Sequence, residues 1–511
     1  MSVAPSAMAV RMVGINKRFG AVAANADVNL SIAAGTVHGI VGENGAGKST
    51  LMSVLYGFYQ ADSGSIEVAG QPAQIRNSDD AIGLGIGMVH QHFMLVDTLT
   101  ALENVMLGAE PHWLLQRAEA QVRKQLESLM QDTGLHVNLD ARVGDLPVGD
   151  QQRLEILKAL YRGAKVLILD EPTAVRTPQE TTHLFKVLAH LRSQGTTILL
   201  ITHKLKEVMG LCDRVTVMRA GRVVQEMPIS QASIEGLAEA MVGRKVQMGR
   251  VQEDEKRVGE VLLSLRKVQV RDAQNVVRLA DINLDLRAGE IVGVAGVSGN
   301  GQSELLDVLS GLLTPTEGEM QLGGQCFGQA AWLDPRTART LGLAHVPEDR
   351  HSRAMVMAFS AWESAVLGYD GLLAYTQRGW MNHARMRSAT ARMMERFDVR
   401  PRDPELGSSK FSGGNQQKLV LARELGQTPK VLLVGQPTRG VDIGAIEFIY
   451  SQLRAMRDAG CAVLVVSSEL DEILALSNRV IVMNQGRVTG ELAIEECTEA
   501  NLGLLMTGGS H

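Results

Sequence analysis

The feature of this chain that most constrains its fold is an internal repeat that covers nearly its whole length. Three pairs of segments carry the repeat: ADVNLSIAAG at 26–35 with ADINLDLRAG at 280–289, GENGAGKS at 42–49 with GVSGNGQS at 296–303, and GDQQR at 149–153 with GNQQK at 414–418. The partners are 254 residues apart in the first two pairs and 265 in the third. A period this long indicates a duplicated domain, because solenoid repeats are only about 20 to 45 residues long.

The bulk properties of the sequence agree with two domains and disfavour several classes of protein. A chain of 511 residues exceeds what one hydrophobic core normally supports. The first copy is assigned to 1–244 and the second to 260–511, and a polar linker at 245–259 joins them. The net charge of −5 argues against a nucleic-acid partner, and four cysteines without a CxxC pair argue against a structural metal site. No apolar run reaches 18 residues and the start lacks the pattern of a signal peptide, so we expect a cytosolic protein.

Short apolar runs that alternate with helical patterns indicate an α/β fold with a parallel sheet. The runs expected to be buried strands are 37–41, 165–169, 196–201 and 291–295, and a helix is expected at 151–160. Two further runs, 65–68 and 215–218, are bounded by glycine turns and are expected to form an antiparallel layer.

The glycine-rich segment at 42–49 matches GxxxxGK[ST], the pattern of a phosphate-binding loop. Its glycines allow backbone N–H groups to close around phosphate, Lys48 neutralises phosphate oxygens, and the Ser49 hydroxyl is suited to ligate Mg²⁺. The strand that ends at Asp170 is followed immediately by a second acid, Glu171. Asp170 is suited to hold the magnesium shell, and Glu171 to orient or deprotonate an attacking water.

The order of these motifs resembles the nucleotide-binding domain of ATP-binding-cassette (ABC) transporters, and the resemblance covers nearly the whole chain twice. It implies two tandem P-loop NTPase domains that bind ATP and Mg²⁺, each with a parallel-sheet core, an antiparallel β layer and a helical subdomain. It also implies a role for each matching residue of the first copy. The phosphate loop supplies Gly42, Glu43, Asn44, Gly45, Ala46, Gly47, Lys48, Ser49 and Thr50; Asp170 is the Walker B aspartate, Glu171 the catalytic carboxylate, Gln91 the Q-loop glutamine that also reaches the metal, His203 the switch histidine, and Phe19 the aromatic that stacks on adenine.

The second copy departs from the family pattern at almost every catalytic position. The residues that stand there in place of Lys48, Asp170, Glu171, His203 and Gln91 are Gln302, Gly435, Gln436, Ser468 and Glu348. Gln302 leaves phosphate charge unpaired, and Gln436 cannot act as a base. The signature segment shows the opposite asymmetry, because FSGG at 411–414 is intact whereas LPVG at 146–149 carries a proline and a valine in place of serine and glycine.

In the ABC family each ATP lies between the Walker motifs of one domain and the signature of the other. The resemblance therefore implies one competent site, in which the catalytic residues of the first copy meet Ser412, Gly413 and Gly414 of the second. Asp442, in the D-loop of the second copy, is implied to reach the same site. The resemblance implies that the other site combines the altered Walker positions of the second copy with the altered signature of the first.

The type of transporter rests on resemblance alone. VPEDR and PTRGVDIGA in the second copy resemble simple-sugar and nucleoside importers, and DEPTAVRTPQE in the first is similar to the nucleoside branch. A nucleoside or purine-like solute is therefore favoured, and a ribose- or galactose-like sugar is the alternative. The resemblance places the protein at the cytoplasmic face of the inner membrane with two permease subunits, which are expected to contact the segment 93–95, and with a solute-binding protein that acts indirectly.

The sequence disfavours two other kinds of two-cassette ATPase. A translation factor of this architecture keeps both sites intact and joins them by a long charged linker, whereas the linker here is short. A DNA-repair ATPase carries zinc-binding cysteines or coiled-coil insertions, and the sequence has neither. Both are disfavoured.

Overall fold

The computed structural model divides the chain into two compact units, Met1–Val246 and Gln247–His511. The residues that it describes are 7–20, 22–90, 93–108, 115–173, 178–245, 258–297, 299–377 and 380–506. Most of the predicted linker, 246–257, lies outside the described residues. No helix in the described part of the chain is both long and apolar enough to cross a membrane.

The first unit contains two sheets and a set of flanking helices. Its strands are β1 (Met8–Phe19), β2 (Val22–Ala33), β3 (Val37–Val41), β4 (Ser63–Val68), β5 (Gln71–Ala73), β6 (Ile86–Val89), β7 (Val166–Asp170), β8 (Thr197–Ile201), β9 (Arg214–Arg219) and β10 (Arg222–Pro228). Its helices are α1 (Lys48–Leu55), α2 (Ser78–Gly83), α3 (Ala101–Met106), α4 (Leu115–Thr133), α5 (Val148–Tyr161), α6 (Pro178–Ser193), α7 (Leu205–Leu211) and α8 (Ile234–Val242).

The larger sheet of this unit has the order β10-β9-β3-β8-β7-β6, and only β10 runs antiparallel to its neighbour. Every residue of β3, β7 and β8 is buried, which is why these strands are continuous apolar runs in the sequence. The smaller sheet, β2-β1-β4-β5, is antiparallel. One apolar core joins α1 to both sheets, and α3, α4 and α5 pack together as the predicted helical subdomain.

The second unit repeats this plan. Its strands are β11 (Val261–Arg271), β12 (Val277–Arg287), β13 (Ile291–Ala295), β14 (Glu317–Leu322), β15 (Gln325–Gly328), β16 (Leu343–Val346), β17 (Thr376–Gln377), β18 (Trp380–Met381), β19 (Val431–Gly435), β20 (Ala462–Ser467), β21 (Arg479–Asn484) and β22 (Arg487–Ala493). Its helices are α9 (Gln302–Leu309), α10 (Pro335–Thr340), α11 (Arg350–Arg353), α12 (Ala361–Val366), α13 (His383–Arg396), α14 (Gly413–Leu425), α15 (Ile443–Asp458), α16 (Leu470–Leu476) and α17 (Glu499–Met506).

The strand orders β16-β19-β20-β13-β21-β22 and β12-β11-β14-β15 match those of the first unit position by position. A small hairpin of β17 and β18 lies in the stretch that carries the extra residues of the second copy, and the described residues of the first unit contain no counterpart to it. The predicted α/β fold with two tandem domains is therefore confirmed.

One prediction about the sheets is wrong. The run at 65–68 belongs to β4 in the antiparallel layer, as expected. The run at 215–218 belongs instead to β9 of the larger sheet, where it pairs in parallel with β3 and antiparallel only with β10. The four residues Val215–Met218 are all buried. Such complete burial suits a strand covered on both faces within a parallel sheet, whereas a layer with one solvated face alternates buried and exposed positions.

Candidate nucleotide-binding site

The predicted phosphate loop connects β3 to α1, and two of its glycines are required by the space around them. A Cβ atom on Gly42 would lie 2.4 Å from the carbonyl oxygen of Met218. Gly47 precedes α1 with φ of +97°, and a Cβ atom there would lie 2.3 Å from the carbonyl oxygen of Ala24. Only glycine fits both positions, so the loop packs closely against β9 and β2.

Lys48 is the first residue of α1, and its side chain is almost fully buried. Its ammonium donates hydrogen bonds to the carbonyl oxygens of Gly42 at 2.7 Å and Glu43 at 3.0 Å. The side chain is thereby folded over the loop, which places a positive charge where the phosphates of a nucleotide would lie.

Ser49 and Asp170 come together at the end of β7. The Ser49 hydroxyl donates to Oδ1 of Asp170 at 3.4 Å. Burial raises the pKa of Asp170, and the hydrogen bond from Ser49 opposes that rise. A hydroxyl and a carboxylate oxygen are ligands that Mg²⁺ accepts, so these two residues fit the predicted magnesium position. Gln91, the third predicted ligand, lies outside the described residues.

Glu171 and His203 form a direct pair. Nδ1 of His203 lies 2.8 Å from Oε1 of Glu171. Glu171 has φ of +47°, in the left-handed region, while its backbone N–H donates to the carbonyl oxygen of Ile201. Burial opposes ionisation of Glu171, but the hydrogen bond with His203 and the charges of Lys48 and Lys204 lower its pKa overall. The carboxylate is therefore in the form that can accept a proton or a hydrogen bond from water.

Phe19, the predicted adenine-stacking residue, ends β1 and is 44% exposed. Its ring meets the ring of Tyr59 edge to face at 5.1 Å. Phe19 pairs with Val22 at the start of β2, and three residues later Asn25 donates to the carbonyl oxygen of Gly47 at 3.0 Å. An exposed aromatic face is thus presented by the hairpin that braces the phosphate loop. Asn25 was not predicted from the sequence. The internal repeat gives no signal for it, because the equivalent residue of the second copy is not polar.

In the second unit, Gln302 keeps the shape of the lysine contact without its charge. Its amide nitrogen donates to the carbonyl oxygen of Val297 at 3.1 Å, and its amide oxygen accepts from the backbone N–H of Asn300 at 3.1 Å. Val297 is the counterpart of Glu43, so the side chain lies over the loop as Lys48 does. The loop is closed by a neutral group.

The catalytic pair is also replaced by a neutral one. The Ser468 hydroxyl donates to the amide oxygen of Gln436 at 3.1 Å, and its backbone N–H does so at 3.2 Å. Gln436 has φ of +47°, the same as Glu171. The backbone geometry of the site is retained although the group that could accept a proton is absent.

In the second unit, the carboxylate next to the phosphate loop comes from Glu348 and not from the position equivalent to Asp170. A Cβ atom on Gly435, the counterpart of Asp170, would lie 2.5 Å from Cγ of Glu348. The Ser303 hydroxyl donates to Oε2 of Glu348 at 2.5 Å, as Ser49 donates to Asp170. Glu348, expected from the sequence only as an altered Q-loop residue, therefore occupies the space left by the lost aspartate, which the sequence did not predict.

The signature segment of the second unit leads into α14. Ser412 immediately precedes the helix, and its hydroxyl accepts a hydrogen bond from the Asn415 amide at 2.9 Å. A Cβ atom on Gly413 would lie 2.8 Å from the carbonyl oxygen of Gly440, so no larger residue fits there. In the first unit Pro147 and an exposed Val148 stand at these positions. That Ser412, Gly413 and Gly414 join the phosphate loop of the first unit remains a prediction.

The D-loop aspartate of the second unit, Asp442, accepts a hydrogen bond from the backbone N–H of Ala445 at 2.8 Å and caps α15. The equivalent segment of the first unit was predicted at 175–178. Its residues 175–177 lie outside the described part of the chain. A further acid missed by the sequence analysis is Glu207, which binds Thr173 and Thr202 next to the catalytic pair. The repeat could have found it, since an acid also stands 265 residues later.

Comparison with known proteins gives a consistent result. A protein-family model described as ABC transporter matches residues 26–174 and 279–439. The chain is 41% identical to a nucleoside import ATP-binding protein of Lactococcus lactis subsp. cremoris and 42% identical to a guanosine import ATP-binding protein of Bacillus subtilis, in each case over 98% of both chains. It is 40% identical to a ribose import ATP-binding protein of Chromobacterium violaceum, also over 98% of both chains.

Among solved structures, an archaeal ribosome recycling factor, in complex with a ribosomal stalk protein, matches 96% of this chain and 92% of its own with a TM-score of 0.64. The two sequences are 18% identical. This likeness shows the fold alone, because at such identity a shared fold does not imply a shared function.

Proposed function

The chain belongs to the ABC transporter family and is an ATPase that energises import, and we propose that its solute is a nucleoside or a purine-like compound. The observation that carries the choice of solute is the full-length match to a nucleoside and a guanosine import protein. A simple sugar is the second candidate, because the match to a ribose import protein is also full-length at 40% identity.

We further propose one competent ATP site and one degenerate site in this molecule. The first domain, 1–244, supplies intact Walker residues, and the second, 260–511, supplies the intact signature across a linker at 245–259. Support comes from the carboxylate–imidazole pair Glu171–His203 in the first unit and the neutral pair Gln436–Ser468 in the second.

The residues of the competent site divide the work of hydrolysis. Lys48 neutralises charge on the phosphates, and Ser49 with Asp170 would hold Mg²⁺, which when bound offsets the charge of the β- and γ-phosphates. Glu171 orients the attacking water and takes its proton, and His203 holds Glu171 in place. ATP binding would join the two domains, and hydrolysis would release them.

The import function also implies partners that lie in the membrane. We propose that permease subunits, two in number, receive this protein at the cytoplasmic face of the inner membrane, and that a solute-binding protein delivers the solute to them. The segment 93–95 is the proposed contact, and Met94 within it is 61% exposed. An exposed methionine adapts readily to a partner surface.

The experiment that tests the solute is uptake in cells that lack this chain but retain its permease. Wild-type chain and the Lys48→Ala variant are each restored, and uptake of radiolabelled guanosine, adenosine and ribose is measured. We expect the wild type to restore nucleoside uptake and Lys48→Ala to restore none. Restored uptake of ribose without uptake of either nucleoside would replace the nucleoside proposal with the sugar alternative.

A further inference from the structure

A buried acid on α7, Glu207, links the two loops that carry the catalytic pair. The Thr173 hydroxyl donates to Oε1 of Glu207 at 2.5 Å, and the Thr202 hydroxyl donates to Oε2 at 3.3 Å. Thr173 lies two residues after Glu171, and Thr202 immediately precedes His203. Each oxygen of one carboxylate is therefore held by a different loop of the site.

The burial of this network makes it costly to keep for stability alone. Glu207 is 7% exposed, and Thr173 and Thr202 are each 1% exposed. Burial raises the pKa of Glu207, while the two hydroxyl donors and Lys204 oppose the rise. Buried charged groups often add less stability than well-packed apolar residues would, because removing them from water is expensive. A buried carboxylate that spans two catalytic loops is better explained by positioning.

The second unit carries the same network in a less complete form. Glu472 faces Ser467 and Thr438, the counterparts of Thr202 and Thr173. Its Oε1 atom has no hydrogen-bond partner among the residues that the structure describes. Glu469 stands where the first unit has Lys204.

This difference in charge acts directly on the two acids. Lys204 lies 3.9 Å from Glu207 and donates to the carbonyl oxygen of Thr173 at 3.4 Å. Burial raises the pKa of Glu472 to about 7. Hydrogen bonds from the Ser467 and Thr438 side chains oppose this rise, and the charge of Glu469 adds to it. The network in which both carboxylate oxygens are bonded accompanies the Glu171–His203 pair. The network with one unbonded carboxylate oxygen accompanies the neutral Gln436–Ser468 pair.

We propose that Glu207 is a positioning residue for ATP hydrolysis, which ties the loop after Asp170 to the loop before His203 and so fixes the Glu171–His203 contact. The proposal rests on the proposed function of the first-unit site. A displacement of about 1 Å at a reacting group can lower a rate by about 100-fold. The link through Glu207 restrains the 2.8 Å contact between His203 and the general base, Glu171.

The test compares Glu207→Gln with the matched variant Glu472→Gln in the full-length chain assembled with its permease. A glutamine retains one acceptor oxygen, so it can hold one threonine hydroxyl but not both in the same way. We expect Glu207→Gln to lower kcat for ATP by about tenfold or more with KM changed less than about twofold, since the link acts on orientation and not on binding. Glu472→Gln is expected to leave both constants unchanged.

Two further variants separate positioning from folding. Thr202→Val removes the hydroxyl at nearly constant shape and is expected to lower kcat as Glu207→Gln does. Thr202→Ser keeps the hydroxyl and is expected to retain most of the wild-type kcat. Combining Thr202→Val with Glu207→Gln should lower kcat little beyond the worse single variant, because both break one link.

Thermal unfolding of every variant is measured in parallel. If Glu207→Gln and Glu472→Gln lower the melting temperature equally and leave kcat unchanged, the network only stabilises the fold and the proposal is wrong. A wild-type chain that hydrolyses no ATP, or one whose rate survives Glu171→Gln, would instead contradict the proposed function of the site.

Discussion

Glu171 and Gln436 have the same backbone conformation at equivalent positions, with φ of +47° in both. Each also donates its N–H to the neighbouring strand, to Ile201 at 2.9 Å and to Val466 at 2.7 Å. A left-handed conformation at a non-glycine residue is unfavourable by about 1 to 3 kcal/mol and persists only when the surroundings impose it. Both units therefore hold this side chain in the same direction, and only its chemistry differs.

The first prediction follows from that equivalence. Glu171→Gln should fold normally, because glutamine already occupies the same conformation at position 436. It should lower ATP hydrolysis by about 100-fold or more, since the amide cannot take a proton from water, while ATP binding is retained. Steady-state ATPase rates and equilibrium nucleotide binding measure the two effects.

The reverse substitution in the second unit is the control for this prediction. Gln436→Glu should not restore hydrolysis to the degenerate site, because Gln302 and Ser468 still replace the lysine and the histidine. A Glu171→Gln protein that hydrolyses ATP at the wild-type rate would show that another group is the base.

At the scale of elements, the strands buried on both faces were the most predictable part of the fold. The apolar runs at 37–41 and 291–295 coincide with β3 and β13, and the helix expected at 151–160 lies within α5. The run at 215–218 shows what such runs cannot predict. An apolar run predicts a strand, but it does not specify which strand will lie beside it, because pairing is decided by contacts distant in the sequence.

The same limit applies to the candidate site. Motif spacing predicts which residues belong to the phosphate loop, and the structure brings Ser49 to Asp170 as that prediction requires. The contact between Ser303 and Glu348 could not be predicted in this way, because it depends on the space that Gly435 leaves open between two neighbouring strands. The loss of the aspartate is therefore visible in the sequence, whereas its replacement by Glu348 is visible only in the structure.

The second prediction concerns that space at the end of β19. In Gly435→Ala the new methyl group would lie 2.5 Å from Cγ of Glu348, 2.9 Å from its backbone nitrogen and 3.0 Å from Cδ1 of Leu306. Overpacking of this kind lowers the free energy of unfolding by about 1 to 3 kcal/mol. Urea denaturation followed by circular dichroism measures the loss.

Removal of the Glu348 side chain supplies the control. Glu348→Ala in the Gly435→Ala background should recover part of the lost stability, because it deletes the nearest atom and leaves the backbone contact in place. If Gly435→Ala is as stable as the wild type, Glu348 does not occupy the position of the missing aspartate.

In the whole molecule the altered residues follow a pattern. The first unit keeps the charged Walker residues and has lost its signature serine, whereas the second keeps the signature and has lost the charged residues. A second domain without any role in catalysis would have no chemical need for the Ser412 hydroxyl that immediately precedes α14. We propose that the two units divide one catalytic site between them, which would account for this pattern.

The last prediction tests this division in the full-length chain. Ser412→Arg places a long cationic side chain in front of α14 of the second unit, at a residue that is exposed and so tolerates the change in the fold. If the signature completes the site of the first unit, the variant should lose nearly all ATP hydrolysis although every Walker residue is intact.

Gln302→Ala is the matched variant of the degenerate site and should hydrolyse ATP at close to the wild-type rate. The measurement is the ATPase rate of each purified chain with its permease. An unchanged rate in Ser412→Arg would rule out a shared site, and a large loss in Gln302→Ala would show that the second site also contributes to turnover.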